Sequence, residues 1–272
     1  MDLLAIVWDV KPQLFEIGNF QLRWYGLLFA TAFIVGNYLM GKMFKAEGVP
    51  DAWLDKILLY VLIGTVIGAR LGHVFFYDWG YYSQNIGEIF MVWKGGLASH
   101  GAAIGIILSL WLFSKNVSKR SILWALDRVV IVVALAAVFI RMGNLMNSEI
   151  VGTPTDLPWA FIFTQLDMTP RHPVQLYEAF CYLIIFIFLN WMYWKKGAGN
   201  YLGLLFGTFL VTLFSCRFVM EFYKNSQGGF ESYLGDSFST GQWLSVPFVL
   251  LGIYFILKAK PSGYSVAPKS SE

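Results

Sequence analysis

Seven apolar stretches dominate the chain, at residues 24–41, 57–77, 97–114, 122–140, 173–194, 201–221 and 242–257. Each approaches the roughly 20 helical residues needed to cross a hydrocarbon core. The third opens on glycines and the last is short. The pattern predicts an all-α polytopic membrane protein with about seven transmembrane helices and a small extracytoplasmic head of loops. Ahead of the first run, residues 14–20 alternate around Ile17-Gly18-Asn19 and predict a small surface hairpin. Residues 1–23 lack the basic start of a cleaved signal and carry Asp2, Asp9 and Glu16.

Composition agrees with this reading. Of 272 residues, 57% are hydrophobic and 14% charged, against about 25% charged in ordinary soluble domains. So few charges cannot cover the surface of a water-soluble globule. The net charge of +3 is too small to suggest a nucleic-acid partner. Cys181 and Cys216 lie inside apolar runs, which argues against a disulfide scaffold or a zinc site. No metal or cofactor is expected.

Lysine and arginine are unevenly divided between alternate loops. One side holds ten, Lys42, Lys45, Lys115, Lys119, Arg120, Lys195, Lys196, Lys258, Lys260 and Lys269, in short segments. The other holds Lys11, Arg23, Lys94, Arg141, Arg171 and Lys224, spread over longer ones. The dense side is predicted to be cytoplasmic. That puts the N-terminus outside, the C-terminus inside, and loops 78–96, 141–172 and 222–241 outward. Residues 1–260 then form a single transmembrane domain, and 261–272 a disordered cytoplasmic tail.

A charge inside a transmembrane segment costs about 3 kcal/mol or more, so such residues tend to mark sites. Arg70, Glu178, Arg217 and Glu221 fall within the predicted spans, with His100, Arg141 and Glu149 at or just beyond span ends. For Asp127 and Arg128, a bland reading, as side chains reaching for water or a structural ion pair, stands level with a functional one. Gly64, Gly68 and Gly72 form a small-residue stripe suited to close helix packing around Arg70.

Four dense motifs stand out. Gly95-Gly96-Leu97-Ala98-Ser99-His100-Gly101 places an imidazole between glycines at the membrane surface, where it can work as a base. The stretch 141–152, with Arg141, Asn144, Asn147, Glu149 and Gly152, suits a phosphate headgroup: a guanidinium fork held by amides and a carboxylate. Arg171-His172-Pro173 starts the fifth helix, on which Gln175 and Glu178 share a face. Arg217, Glu221 and Lys224 line one face of the sixth as cation, anion, cation.

These motifs, with Arg23-Trp24-Tyr25-Gly26 and Gly241-Gln242-Trp243, resemble the prolipoprotein diacylglyceryl transferase family over most of the chain. The departures are Ile140 and Ala102 where the family usually has glycine, Leu145 for the common Phe, and Lys224 for the usual Arg. The resemblance implies transfer of a diacylglyceryl group from phosphatidylglycerol to the lipobox cysteine thiol of a prolipoprotein. A thioether forms and glycerol phosphate leaves. The implied partners are phosphatidylglycerol, prolipoprotein signal peptides bearing the lipobox, and membrane lipids, in the bacterial cytoplasmic (inner) membrane. On this reading Arg141 and Arg217 bind phosphate and offset its growing charge. His100 deprotonates or orients the thiol, and Tyr25, Asn144, Glu149 and Glu221 position these groups. Asn147, Gly152 and Lys224 complete the lipid site. The alternative is an anionic-solute transporter or lipid-headgroup-binding membrane protein using the same arginines; the lack of inverted repeats counts against the transporter.

Overall fold

The computed structural model describes residues 5–18, 20–224 and 238–264. Among them, seven helical segments of 18 to 25 residues are long and apolar enough to cross a membrane. The helices are α1 (Trp24–Ala46), α2 (Ala52–Phe76), α3 (Ser99–Phe113), α4 (Ile122–Met146), α5 (Val174–Lys196), α6 (Leu204–Met220) and α7 (Thr240–Leu257). A π-helical turn, Ser114–Ser118, prolongs α3, and a 3-10 turn, Glu221–Tyr223, prolongs α6. At 1.5 Å per residue, segments of these lengths match the thickness of a hydrocarbon core. Large apolar side chains such as Ile34, Phe76, Phe180 and Leu250 are exposed, as expected of a surface whose solvent is lipid.

The chain groups into two compact units, Met40–Arg128 and Met1–Leu39 with Val129–Glu272. In Met40–Arg128, the glycine stripe brings α2 and α3 into backbone contact. A Cβ on Gly64 would lie 2.6 Å from the Gly105 carbonyl, and one on Gly72 would lie 2.6 Å from Gly101 Cα. Arg70 is buried beside this seam. It donates to the carbonyls of Glu88 (2.6 Å), Ile89 (2.8 Å) and Gly95 (2.6 Å), with its guanidinium over the Tyr82 ring. A single arginine thus closes the loop that leads into α3. Glu47 joins the far ends of α1 and α4: it accepts from Arg128 Nε (2.8 Å) and Trp124 Nε1 (2.9 Å). Arg128 is therefore half of a structural ion pair.

In the other unit, strands β2 (Gln13–Ile17) and β3 (Phe20–Arg23) form the predicted hairpin, with Gly18 at φ +59° in its turn, and run directly into α1. Strand β1 (Ile6–Trp8) pairs in parallel with β4 (Phe161–Phe163), which pairs antiparallel with β5 (Pro170–Arg171). Leu145, Val151, Phe161 and Phe163 form a small core beneath this sheet, with Trp8, Met142 and Leu176 packed against it. Trp8 Nε1 donates to the Leu145 carbonyl at 3.1 Å, tying the N-terminal strand to the end of α4. Gly207 and Gly252 face each other where α6 meets α7.

Several expected boundaries move. The fourth helix does not stop near residue 140 but continues to Met146, so Arg141 and Asn144 are helical and the loop expected from residue 141 starts later. Residues 78–96 are not plain loop: they hold a helical turn, Trp79–Tyr82, and 3-10 turns at Ile86–Phe90 and Val92–Lys94. The disordered tail expected from residue 261 starts too early. β6 (Tyr201–Leu202) pairs with β7 (Lys260–Pro261), and Ser262 N donates to the Asn200 carbonyl at 2.7 Å. These backbone bonds hold the segment down despite its polar composition. The remainder of that tail, and most of the expected loop 222–241, lie outside the described residues.

Candidate active site

The site grows from the end of α4. Arg141 and Asn144, three apart, share a face, and Arg141 Nη1 donates to Asn144 Oδ1 at 3.0 Å. The helix then stops abruptly: Ser148 (φ +52°) and Ile150 (φ +58°) both adopt the left-handed conformation. For a β-branched isoleucine this is a strained backbone, of the kind that concentrates at functional sites. The turn swings Glu149 back over the helix end. Its Oε1 accepts from Asn144 Nδ2 (2.8 Å) and Asn147 Nδ2 (3.3 Å), while its backbone carbonyl accepts from Gln175 Nε2 (2.8 Å). Gly143 admits the Tyr25 ring: a Cβ there would stand 2.7 Å from Tyr25 Cδ2.

Glu178 on α5 is fully buried and pairs with two cations. Its Oε2 lies 2.8 Å from Arg141 Nε, an ion-pair contact whose angle falls short of a linear hydrogen bond. Its Oε1 lies 2.8 Å from Lys224 Nζ and accepts from Tyr182 Oη at 3.5 Å. Lys224 in turn lies 3.6 Å from Glu221 Oε2. Its backbone bridges Gly152, where a Cβ would meet the His172 carbonyl at 2.5 Å and Val174 Cγ2 at 2.6 Å. Gly152 therefore contributes backbone and space.

The charges sort unevenly. Arg141 and Lys224 are balanced by Glu178 and Glu221. Lys224, with 7% of its side chain exposed, thus spends its charge internally rather than offering it to a ligand. Arg217 has no hydrogen-bond or ion-pair partner among the described residues, and lies with Arg141 and Glu178 in the field acting on Tyr182. The expected cation–anion–cation stripe is therefore not a chain of salt bridges: Glu221 turns its carboxylate to Lys224 and packs it against Gly241. Arg141 hydrogen-bonds Asn144 and Tyr182, while its Nε stands against Glu178.

Outside the spans, Arg171 flanks this region, donating to Asp167 Oδ2 at 2.6 Å. That hydrogen bond, followed by one from Thr169 N–H, pulls the Asp167 carboxyl down to about 2. Burial pulls the His172 imidazole below its ordinary range, with Nδ1 3.3 Å from Tyr177 Oη. His100 belongs to the Met40–Arg128 unit. It is the second residue of α3, exposed, with its ring 5.4 Å from that of Phe76 and 5.5 Å from that of Tyr77.

Of the residues expected to act, the structure gathers Tyr25, Arg141, Asn144, Asn147 and Glu149 at the end of α4, and Gly152, Glu221 and Lys224 around Glu178. Glu178, not among the residues expected to act, joins them; a charge within the fifth span on the face of Gln175 is the local signal for it. Among the described residues, no group of three or more His, Cys, Asp or Glu is placed to hold a metal ion.

Comparison with known proteins gives a consistent match. Residues 12–258 match the family described as prolipoprotein diacylglyceryl transferase. A phosphatidylglycerol–prolipoprotein diacylglyceryl transferase of Chloroherpeton thalassium is 47% identical over 254 residues, covering 93% of this chain and 94% of the relative. Relatives of the same name from Tolumonas auensis and Porphyromonas gingivalis are each 46% identical, covering 93% of this chain and 96% and 94% of their own lengths.

Proposed function

The chain belongs to the prolipoprotein diacylglyceryl transferase family, and from that premise we propose that it transfers diacylglyceryl from phosphatidylglycerol to a prolipoprotein cysteine. The sulfur attacks the glycerol carbon and the carbon–oxygen bond to phosphate breaks. A thioether forms, and glycerol phosphate departs with the electron pair. The step therefore needs a cation where negative charge collects on the phosphate, and a route for the thiol proton.

The observation that carries this reading is the charge distribution at the site. Arg141 is oriented by Glu178 and Asn144, and Arg217 lies in the same field without a counter-ion among the described residues. A cation left unbalanced in a transmembrane helix calls for an anionic ligand. Arg141 and Arg217 bind the phosphate. Asn144, Asn147 and Glu149 hold the end of α4 in register, with Tyr25 against it. Gly152 gives Lys224 its place, and Lys224 and Glu221 set the position of Glu178. His100 takes the thiol proton or orients the sulfur. The acceptor is the lipobox cysteine of an exported precursor.

The purified protein, given phosphatidylglycerol labelled in its diacylglyceryl part and a lipobox peptide, is expected to yield a labelled thioether peptide and glycerol phosphate. Failure in a folded preparation refutes the assignment. We place the protein in the bacterial inner membrane with the N-terminus outside and the C-terminus in the cytoplasm. Cysteine labels at Ser118 and Lys196 then react only from the cytoplasmic side, and labels at Gly87 and Thr155 only from outside; the reverse pattern overturns this orientation.

A further inference from the structure

We propose that the turn between α3 and α4 is a phosphate-binding site, separate from the transfer site and suited to the headgroup of an anionic lipid. A surface cavity of about 430 Å³ opens there, lined by Trp111, Ser114, Lys115, Lys119, Arg120 and Ile122. It lies at the opposite end of α3 from His100, fourteen residues or about 21 Å away along the helix axis.

Three independent features converge on an anion. The first is charge. Lys115 and Lys119 are exposed, and Arg120 is half-buried. Arg120 is engaged by Glu47 at 3.6 Å and by the Trp124 ring, so the charge offered to a ligand is that of the two lysines. The second is an unsatisfied hydroxyl. Ser114 lines the cavity with 6% exposure, and its Oγ has no hydrogen-bond partner. A buried hydroxyl without a partner is costly unless a ligand supplies one. The third is the helix end. Ile122, the first residue of the 25-residue α4, forms part of the wall, and the first turn of that helix carries no acidic residue. Ser121 Oγ accepts from Leu123 N–H at 3.3 Å there, and no acidic residue of the first turn competes with an external anion for the macrodipole.

The local backbone is shaped for this. The π-helical turn Ser114–Ser118 widens the end of α3, and Lys119 follows at φ +55°, a conformation lysine rarely adopts. Lys119 Nζ donates to the Lys115 carbonyl at 2.6 Å, drawing the two lysines to one rim. Lys115 lies over the Trp111 ring, 5.2 Å from its centroid. That indole is itself half-exposed beside Ile122, so the cavity joins a polar rim to an apolar wall. A phosphate attached to acyl chains fits both parts, and a free phosphate only the first.

The test uses the full-length protein in phosphatidylcholine nanodiscs into which phosphatidic acid is titrated, with retained lipid read by native mass spectrometry. Phosphatidic acid carries phosphate alone as its headgroup. The double variant Lys115→Gln/Lys119→Gln is expected to bind it about thirtyfold more weakly, the effect of removing two interfacial lysines. Ser114→Ala is expected to weaken binding about fivefold, as for one lost hydrogen bond. Transfer activity, which these residues do not serve, reports that each variant is folded. Inorganic phosphate in detergent is the second arm. If it binds with the same dependence on Lys115, Lys119 and Ser114, the site takes soluble phosphate. If only the lipid shows that dependence, the source is the membrane. Equal binding by the native protein and the lysine variant overturns the proposal. Undiminished binding by Ser114→Ala also overturns it, by reducing the cavity to a diffuse basic surface.

Discussion

Replacing Glu178 with Gln tests the architecture of the transfer site most directly, because one carboxylate is shared by two buried cations. At a separation of 2.8 Å to each, the gross attraction is ~6 kcal/mol per pair at an effective dielectric constant near 20. Desolvation cancels most of this, and removing one member of a buried pair typically costs about 3–5 kcal/mol. Glutamine keeps the shape but not the charge. Lys224 then retains Glu221 at 3.6 Å, and Arg141 retains Asn144 at 3.0 Å. The loss should therefore sit at the lower end of that range. Arg141 is expected to lose its fixed orientation, and a misplacement of about 1 Å can lower turnover ~100-fold. The assays are thermal unfolding in detergent and transfer to a lipobox peptide. The double variant Glu178→Gln/Lys224→Met removes the orphaned cation with its partner. It should be more stable than the sum of the single effects by about 0.5–3 kcal/mol. Glu178→Gln with unchanged melting and full turnover, or a cycle with no coupling, would refute the shared-counter-ion reading.

Lys224→Arg should stay close to the starting activity, since either cation can sit between Glu178 and Glu221. Lys224→Gln leaves two carboxylates facing one another and should lower both melting temperature and turnover; a silent Lys224→Gln contradicts the contacts at Lys224 Nζ. Gly152→Ala has no room for its methyl beside the His172 carbonyl and Val174. It is expected to cost about 1–3 kcal/mol and to displace Lys224, seen as a lower melting temperature and slower transfer. The Asp167 carboxyl, held at about 2 by Arg171, has a lowered native value. The stability it adds is therefore complete above its ordinary value of 3.8 and lost as pH falls through about 2. A carboxyl NMR titration of Asp167, repeated in Arg171→Gln, should show the midpoint rise toward the ordinary value; an unmoved midpoint rules out that cause.

The sequence alone determined the number of spans, because an apolar run of sufficient length has one low-energy fate in a bilayer, a helix that satisfies its own backbone. It also determined the hairpin ahead of α1 and the close packing of α2 along its glycines, since alternation and a glycine stripe are local signals; that α3 is the helix packed there was not legible. Arg141, Asn144, Asn147 and Glu149 were legible for the same reason: their hydrogen bonds join near neighbours at one helix end. What the tertiary structure decided is which charges neutralise which. The end of α4 was misplaced because a run of hydropathy stops at a charge. A helix need not stop there when Glu178, brought up by α5, balances Arg141 inside the protein. Lys224, read along the sixth helix as the outer cation of a stripe, is enclosed by Glu178 and Glu221, and Arg217 is left without such a partner among the described residues. The three-stranded sheet was equally hidden, since β1 and β4 are joined only after four helices have intervened. Local patterns fix where the backbone is helical because its hydrogen bonds close within a few residues. Charge balance in a low-dielectric interior depends on distances through space, and those exist only once the helices have packed.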